Sequence, residues 1–331
     1  MGKLRKWAIS SLAAAFTTVA GASAGDVSTG DAFQYPSTIA PQTAADYYYN
    51  EGPLTPYSMA PVQVRLLLVL DASSSMSSSE YSVQINGVAN ALTSDTVKNS
   101  WFGVGEDRDT GPIESIAIGV VVFDSSGRMR IPWVDFRRDD PNLDERLELF
   151  AENVRFLAAS RQTYNNGATH IGESLIMAAR MFENAPWESY SRDVIDLSGD
   201  GENNGGRDMV RAKQTLAGMN VTINGLAIIN EDQELDTWYE NNLITRADEQ
   251  TSAFPGRVWV VARNELSAGE NTAEAYQYFQ DQFELALREK LVWEVAGIQL
   301  NERLPSQRFT DYGAFSTGDS VSVQPISFVF R

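Results

Sequence analysis

Three short segments carry oxygen-bearing side chains at spacings that suit a hard metal ion. In Asp71-Ala72-Ser73-Ser74-Ser75 the alternating residues Asp71, Ser73 and Ser75 can turn three oxygens toward one point. In Asn166-Gly167-Ala168-Thr169 a flexible loop opens an amphipathic stretch and leaves the Thr169 hydroxyl near a helix start. In Ser198-Gly199-Asp200-Gly201 a carboxylate sits between two glycines that permit close backbone approach. Taken singly, each has a plainer reading: a Ser-rich capping turn, an ordinary Thr N-cap, and a common Asp-Gly turn. Taken together, two carboxylates and three hydroxyls form an all-oxygen set, which suits Mg²⁺, Mn²⁺ or Ca²⁺ rather than Zn²⁺.

The elements that must position these residues are legible as alternating apolar runs and amphipathic stretches. Leu66-Leu67-Leu68-Val69-Leu70 is continuously apolar, as a strand covered on both faces requires. Ser77 followed by Glu80 makes a capping box, and Tyr81, Ile85, Val88 and Leu92 continue it at helical spacing. Further apolar runs lie at Ile116 to Phe123, Val194 to Leu197, Val221 to Ile229 and Val258 to Ala262. Between and after them, amphipathic stretches occupy 143–157, 171–183, 207–219 and 273–294. Such alternation predicts a doubly wound, Rossmann-like, mostly parallel α/β sheet with helices on both faces. Arg130 to Phe136 is expected to add an antiparallel edge strand. All three oxygen-rich segments then sit at carboxyl ends of strands or at a helix start, where such sheets bind ligands.

On these residues the chain resembles the von Willebrand factor A (vWA) family and its metal-ion-dependent adhesion site (MIDAS). The family pattern is D-x-S-x-S, a Thr after a Gly-rich loop, then an Asp in a T-D-G-like turn. The resemblance covers roughly residues 62–296. Val194-Ile-Asp-Leu-Ser-Gly-Asp-Gly-Glu-Asn-Asn and Thr222-Ile-Asn-Gly-Leu-Ala-Ile look like a bacterial exported branch of uncharacterised function. It implies that Asp71, Ser73 and Ser75 hold the ion, that Thr169 joins directly or through water, and that Asp200 ligates through water or hydrogen-bonds the shell. Mg²⁺ is the expected ion, with Mn²⁺ and Ca²⁺ as alternatives, and a partner's Asp or Glu is expected to fill the remaining position. Two departures, Gly-Ala-Thr for Gly-Gly-Thr and Ser-Gly-Asp-Gly for Thr-Asp-Gly, leave the register of Asp200 open; Asp196, earlier on the same face, is the fallback. A cation held by two carboxylates and neutral hydroxyls stays electrophilic, which favours capture of an outside acidic group.

The expectation for function is a metal-dependent protein-binding module and not an enzyme. No G-x-S-x-G elbow lies between a strand and a helix, and His170 is the sole histidine, so a Ser-His-Asp hydrolase lacks its parts. No P-loop and no G-x-G-x-x-G follows a strand. The alternatives are a Mg²⁺-dependent phosphotransferase or phosphatase using Asp71 as nucleophile, or a structural envelope protein with an unoccupied site. His170 is read as a polar first-turn residue. Glu202, Asn203, Asn204, Trp101, Glu106, Asp107 and Asp109 are weak rim candidates.

Residues 1–24 read as a signal peptide: Lys3, Arg5 and Lys6, an apolar stretch from Trp7 to Val19, then Ala22-Ser23-Ala24 with cleavage after Ala24. The expected destination is periplasmic or extracellular. No later segment approaches the roughly 20 apolar residues of a membrane span. Net charge is −18 over 331 residues; the signal holds three basic and no acidic residues, leaving 23 basic against 44 acidic. That surface repels nucleic acid and anionic lipid. Cysteine is absent, so neither a disulfide framework nor a thiolate site is available. Residues 25–61, with five of the twelve prolines and the Tyr47-Tyr48-Tyr49 cluster, read as a linker or extended arm. Residues 62–296 form the vWA-like domain. Residues 297–331, partly alternating from Val321 to Phe330, suggest an added strand or hairpin.

Overall fold

Strand β1 (Val62–Asp71) is buried along nearly its whole length, and alternate residues feed two different cores. Leu66, Leu68 and Leu70 join one apolar cluster, while Leu67 and Val69 join another on the opposite face. A strand that buries both faces has no polar side to spare, which is why its sequence is a continuous apolar run. The computed structural model describes Leu54 and residues 56–103, 111–159, 161, 167–229, 234–246, 255–262 and 272–297. The signal peptide, most of the 25–61 arm, Glu106, Asp107, Asp109 and residues 298–331 lie outside them.

After β1 come α1 (Ser78–Thr93), α2 (Asp95–Phe102), β2 (Ser115–Phe123), β3 (Gly127–Arg137) and α3 (Leu143–Ala159). Then follow α4 (Ile171–Glu183), β4 (Ser189–Gly199), α5 (Met209–Gly218), β5 (Val221–Ile229), the single turn α6 (Leu235–Trp238), β6 (Val258–Ala262) and α7 (Thr272–Ala296). The six strands lie in the order β3-β2-β1-β4-β5-β6. All pair in parallel except β3, which runs antiparallel to β2 at the edge. The doubly wound, mostly parallel sheet with helices on both faces is therefore present.

This order creates a switch point. From β1 the chain winds outward through β2 and β3, then returns to place β4 on the other side of β1. Loops leaving β1 and β4 diverge there and open a crevice at their carboxyl ends. Register fixes what lines it: Leu70 pairs with Ser198 and Asp71 pairs with Phe123, so Asp71 stands beside Gly199 at the top of the sheet.

The described end of the arm is tied to the opposite end of the sheet. Leu54 is buried in the core. The backbone amides of Tyr57 and Ser58 donate to the two oxygens of the buried Asp135 at 2.8 and 3.1 Å, and Trp187 Nε1 donates to Ser58 O at 2.7 Å.

Candidate metal site

The first segment is held from both sides. At the N-terminus of α1, Ser77 N donates to Glu80 Oε2 at 2.7 Å and Glu80 N to Ser77 Oγ at 3.2 Å, the reciprocal capping box read from the sequence. Inside the fold, Gln84 Nε2 donates to Asp71 O at 2.8 Å, and Ser198 Oγ donates to Gln84 Oε1 at 2.8 Å. One amide side chain thus ties the end of β1 to the end of β4. Arg161 Nη2 donates to Ser73 O at 2.7 Å and Met76 O at 2.8 Å, closing the loop from outside. Ser74 N reaches Gly167 O at 2.7 Å, which joins the first segment to the loop carrying Thr169.

Within this frame the oxygens converge. Ser73 N donates to Asp71 Oδ1 at 2.7 Å, Ser73 Oγ and Ser75 Oγ are 2.9 Å apart, and Ser75 Oγ donates to Asp200 Oδ1 at 2.7 Å. Thr169 stands across from Gly201, its Oγ1 3.4 Å from where a Cβ on that glycine would lie. Asp71, Ser73, Thr169 and Asp200 are all buried. The fold thus gathers all five residues of the sequence reading around the switch point. Thr169 is not a helix cap: the residue at the N-cap of α4 is His170, which makes no side-chain cap bond. The Thr169 backbone is locked instead by Asn204, whose Oδ1 accepts from Thr169 N at 2.9 Å and whose N donates to Thr169 O at 3.0 Å.

Electrostatically the cluster is incomplete. Asp71 Oδ2 is buried and meets no hydrogen bond of normal geometry. Burial first, and then the Asp200 carboxylate, push the Asp71 carboxyl from its ordinary 3.8 up to about 7, against the pull of hydrogen bonds from Ser73 and the Asp200 amide. A buried carboxylate with an orphaned oxygen, a second carboxylate repelling it and the bonded hydroxyls of Ser73 and Ser75 beside them together fit a divalent cation. Among the described residues no group of three Asp, Glu or His is placed to hold a metal, so the hydroxyls are indispensable to this donor set.

Asp196, the fallback, is occupied elsewhere. It is buried with Lys290 Nζ at 2.6 Å from its Oδ1, and Lys290 also reaches Glu294 Oε1 at 2.5 Å. The Asp200 register is the one that meets Ser75. Trp101, proposed for the rim, lies instead in α2, fully buried, with Nε1 donating to Leu291 O at 3.1 Å; its place in a core helix was hidden by the short, mixed sequence of α2. Asn203 and Asn204 act as brackets: Asn203 Oδ1 accepts from Gly172 N at 3.1 Å. The His170 ring lies against Gly205 and Gly206, its Nδ1 3.0 Å from Ser125 O.

Tyr239 escaped the sequence reading. It lies 168 positions after Asp71 in sequence and follows no strand directly, yet its hydroxyl ends beside the site. Burial and the charges of Asp71 and Asp200 hold its phenol well above the ordinary range. No local sequence signal marked it.

Residues 61–254 match the model of a family described as a protein of unknown function, DUF1194. No curated protein matches the chain. Among solved structures, it is similar to a von Willebrand factor type A protein from Catenulispora acidiphila at 18% identity, over 69% of this chain and 43% of that one, with a TM-score of 0.40. It is also similar to proximal thread matrix protein 1 of the mussel byssus, with a zinc-occupied MIDAS motif, at 16% identity over 69% and 48%, TM-score 0.41. A third is the SpRpn10 VWA domain, at 13% identity over 62% and 90%, TM-score 0.39. The chain spans less than half the length of the first two.

Proposed function

The chain belongs to the DUF1194 family, and from that premise we propose that its α/β domain is an exported, metal-dependent protein-binding module of the vWA kind. Asp71, Ser73 and Ser75 would hold the cation, with Thr169 and Asp200 completing its surroundings. Mg²⁺ is the ion we favour. When bound, the cation supplies a positive charge with an open position that accepts an Asp or Glu carboxylate of a partner protein. The chain's own residues bind and orient: Ser75 aligns Asp200, Gln84 and Arg161 fix the loop after β1, and Asn204 holds Thr169 in place.

The observation that carries this reading is the orphaned, buried Asp71 Oδ2 on a carboxylate joined through Ser73 to the hydroxyl chain of Ser73 and Ser75 and to a further carboxylate, Asp200. Ser73 and Ser75 bond each other and Asp200, and the His170 Nδ1 is taken by Ser125 O. We read the module as a binding module and not an enzyme, and as periplasmic or extracellular on the basic, apolar and small-residue order of residues 1–24.

The test is calorimetric titration of Mg²⁺, Mn²⁺ and Ca²⁺ into chelator-treated protein beside Asp71→Ala, followed by a short glutamate-containing peptide added to each. One saturable metal site lost in the variant, with peptide binding that requires the metal, is expected. Wild-type protein that takes up no cation would overturn the reading.

A further inference from the structure

Two polar atoms near the crevice are buried with no hydrogen-bond partner among the described residues, Asp71 Oδ2 and Tyr239 Oη. A buried polar atom left without a partner destabilises the fold, so two together need an explanation. They are neighbours. A Cβ built on Gly199 would lie 2.7 Å from Asp71 Oδ2 and 3.1 Å from Tyr239 Oη, so both atoms flank one spot above that glycine.

The backbone delivers Tyr239 there by an unusual turn. After α6 the chain passes into a π-type turn over Tyr239–Leu243, in which Ile244 N donates to Tyr239 O at 3.1 Å. Such turns are rare and concentrate at functional sites. The buried Leu235 and Leu243 anchor it on either side. The ring fits only because β5 carries Gly225, where a Cβ would stand 2.7 Å from Tyr239 Cδ2. Side chains at 199 and 225 would each block the slot, one at the hydroxyl and one at the ring.

We propose that Tyr239 is a positioning residue for the metal site: its hydroxyl, unbonded in this structure, donates to Asp71 Oδ2 once a cation holds that carboxylate ionised, and so keeps it in the orientation the cation needs. Groups that orient a ligand in this way commonly change metal affinity by about 10- to 100-fold when removed. Simple packing gives a different expectation: deleting one unbonded buried hydroxyl while keeping the ring leaves cation affinity unchanged, and on either reading the metal-free fold is not weakened. The inference rests on the metal-binding reading above.

The test uses the full chain with Tyr239→Phe, titrated with Mg²⁺ and Mn²⁺ in the calorimeter and melted without metal. The expected result is an affinity at least tenfold weaker with a metal-free melting temperature equal to or above wild type. Adding Mg²⁺ to wild-type protein should also produce a tyrosine ultraviolet difference band that Tyr239→Phe lacks. Wild-type protein that binds cation while Tyr239→Phe binds equally well, without loss of the band, would overturn this inference alone. Wild-type protein that binds no cation would overturn the metal reading and this inference with it.

Discussion

Ser75 Oγ donates to Asp200 Oδ1 at 2.7 Å, joining loops 125 residues apart in sequence across the gap between β1 and β4. The bond fixes the second carboxylate relative to the D-x-S-x-S segment, and it exists only because the switch in strand order sets those two loops side by side. Replacing Ser75 with Ala removes both a candidate ligand and the group that aligns Asp200. Cation affinity in Ser75→Ala is expected to fall at least about tenfold, while unfolding free energy changes by no more than about 1–1.5 kcal/mol, the ordinary worth of one hydrogen bond. Calorimetry beside urea unfolding measures both, and an unchanged affinity would remove Ser75 from the site.

Asp71 gives an opposed pair of effects. Its folded carboxyl is pushed up to about 7 from 3.8, so the metal-free fold binds this proton more tightly than the unfolded chain does. Stability from this group is greatest below about pH 4 and is lost as pH rises toward 7. Asp71→Asn keeps the shape and removes the charge. In chelator at pH 8 it should melt several degrees above wild type, a gap that closes at pH 4 to 5. The same variant should bind no Mg²⁺. Cation binding to wild type, which needs the ionised carboxylate, should strengthen with pH up to about 7 and then level off. A wild-type affinity flat from pH 5 to 8 would contradict the assignment of Asp71 as a ligand.

The sheet was legible because its strands are buried on both faces and its helices carry a clean apolar stripe: β5, β6 and α4 fall where the periodicity set them. β4 extends earlier than its apolar run, to Ser189, because its first residues pair with β1 at the exposed lower end and need no apolar side chains. The five oxygen-bearing residues could be found because each follows a strand or precedes a helix directly. Tyr239, Gln84 and Arg161 could not be found so. Their roles come from tertiary proximity, and a buried Gln in mid-helix or a Tyr in a π-type turn has no local pattern that distinguishes it.

Arg161 shows how much one such residue holds. Its Nη2 bonds Ser73 O and Met76 O, and its guanidinium carbon lies 5.1 Å from the centre of the Tyr81 ring. Arg161→Ala frees two loop carbonyls and a ring face at once. Amide hydrogen exchange across residues 73–77 should accelerate, and stability should drop by about 1–3 kcal/mol. Arg161→Lys should recover only part of this, since a point charge cannot reproduce the planar fork. Exchange rates identical to wild type in Arg161→Ala would show that the loop holds itself.

Lys290 separates structural charge from ligand charge. It is fully buried between Asp196 and Glu294, at 2.6 and 2.5 Å, and lies 5.5 Å from the centre of the Trp259 ring. Burial first, then the Asp196 charge, raise the Glu294 carboxyl well above its ordinary value, and Lys290 opposes them. Lys290→Met strands two buried carboxylates, a loss of about 3–5 kcal/mol for a broken buried pair. With the raised Glu294 carboxyl then losing the cation that opposes its rise, the deficit should be small near pH 4 and grow as pH rises, because the unfolded chain ionises that group freely. Urea midpoints at pH 5 and pH 8 read this directly. Mg²⁺ affinity, measured where the variant is still folded, should stay at the wild-type value, since Asp196 serves Lys290 and not the crevice. An affinity lost along with the pair would return Asp196 to the set of candidate ligands.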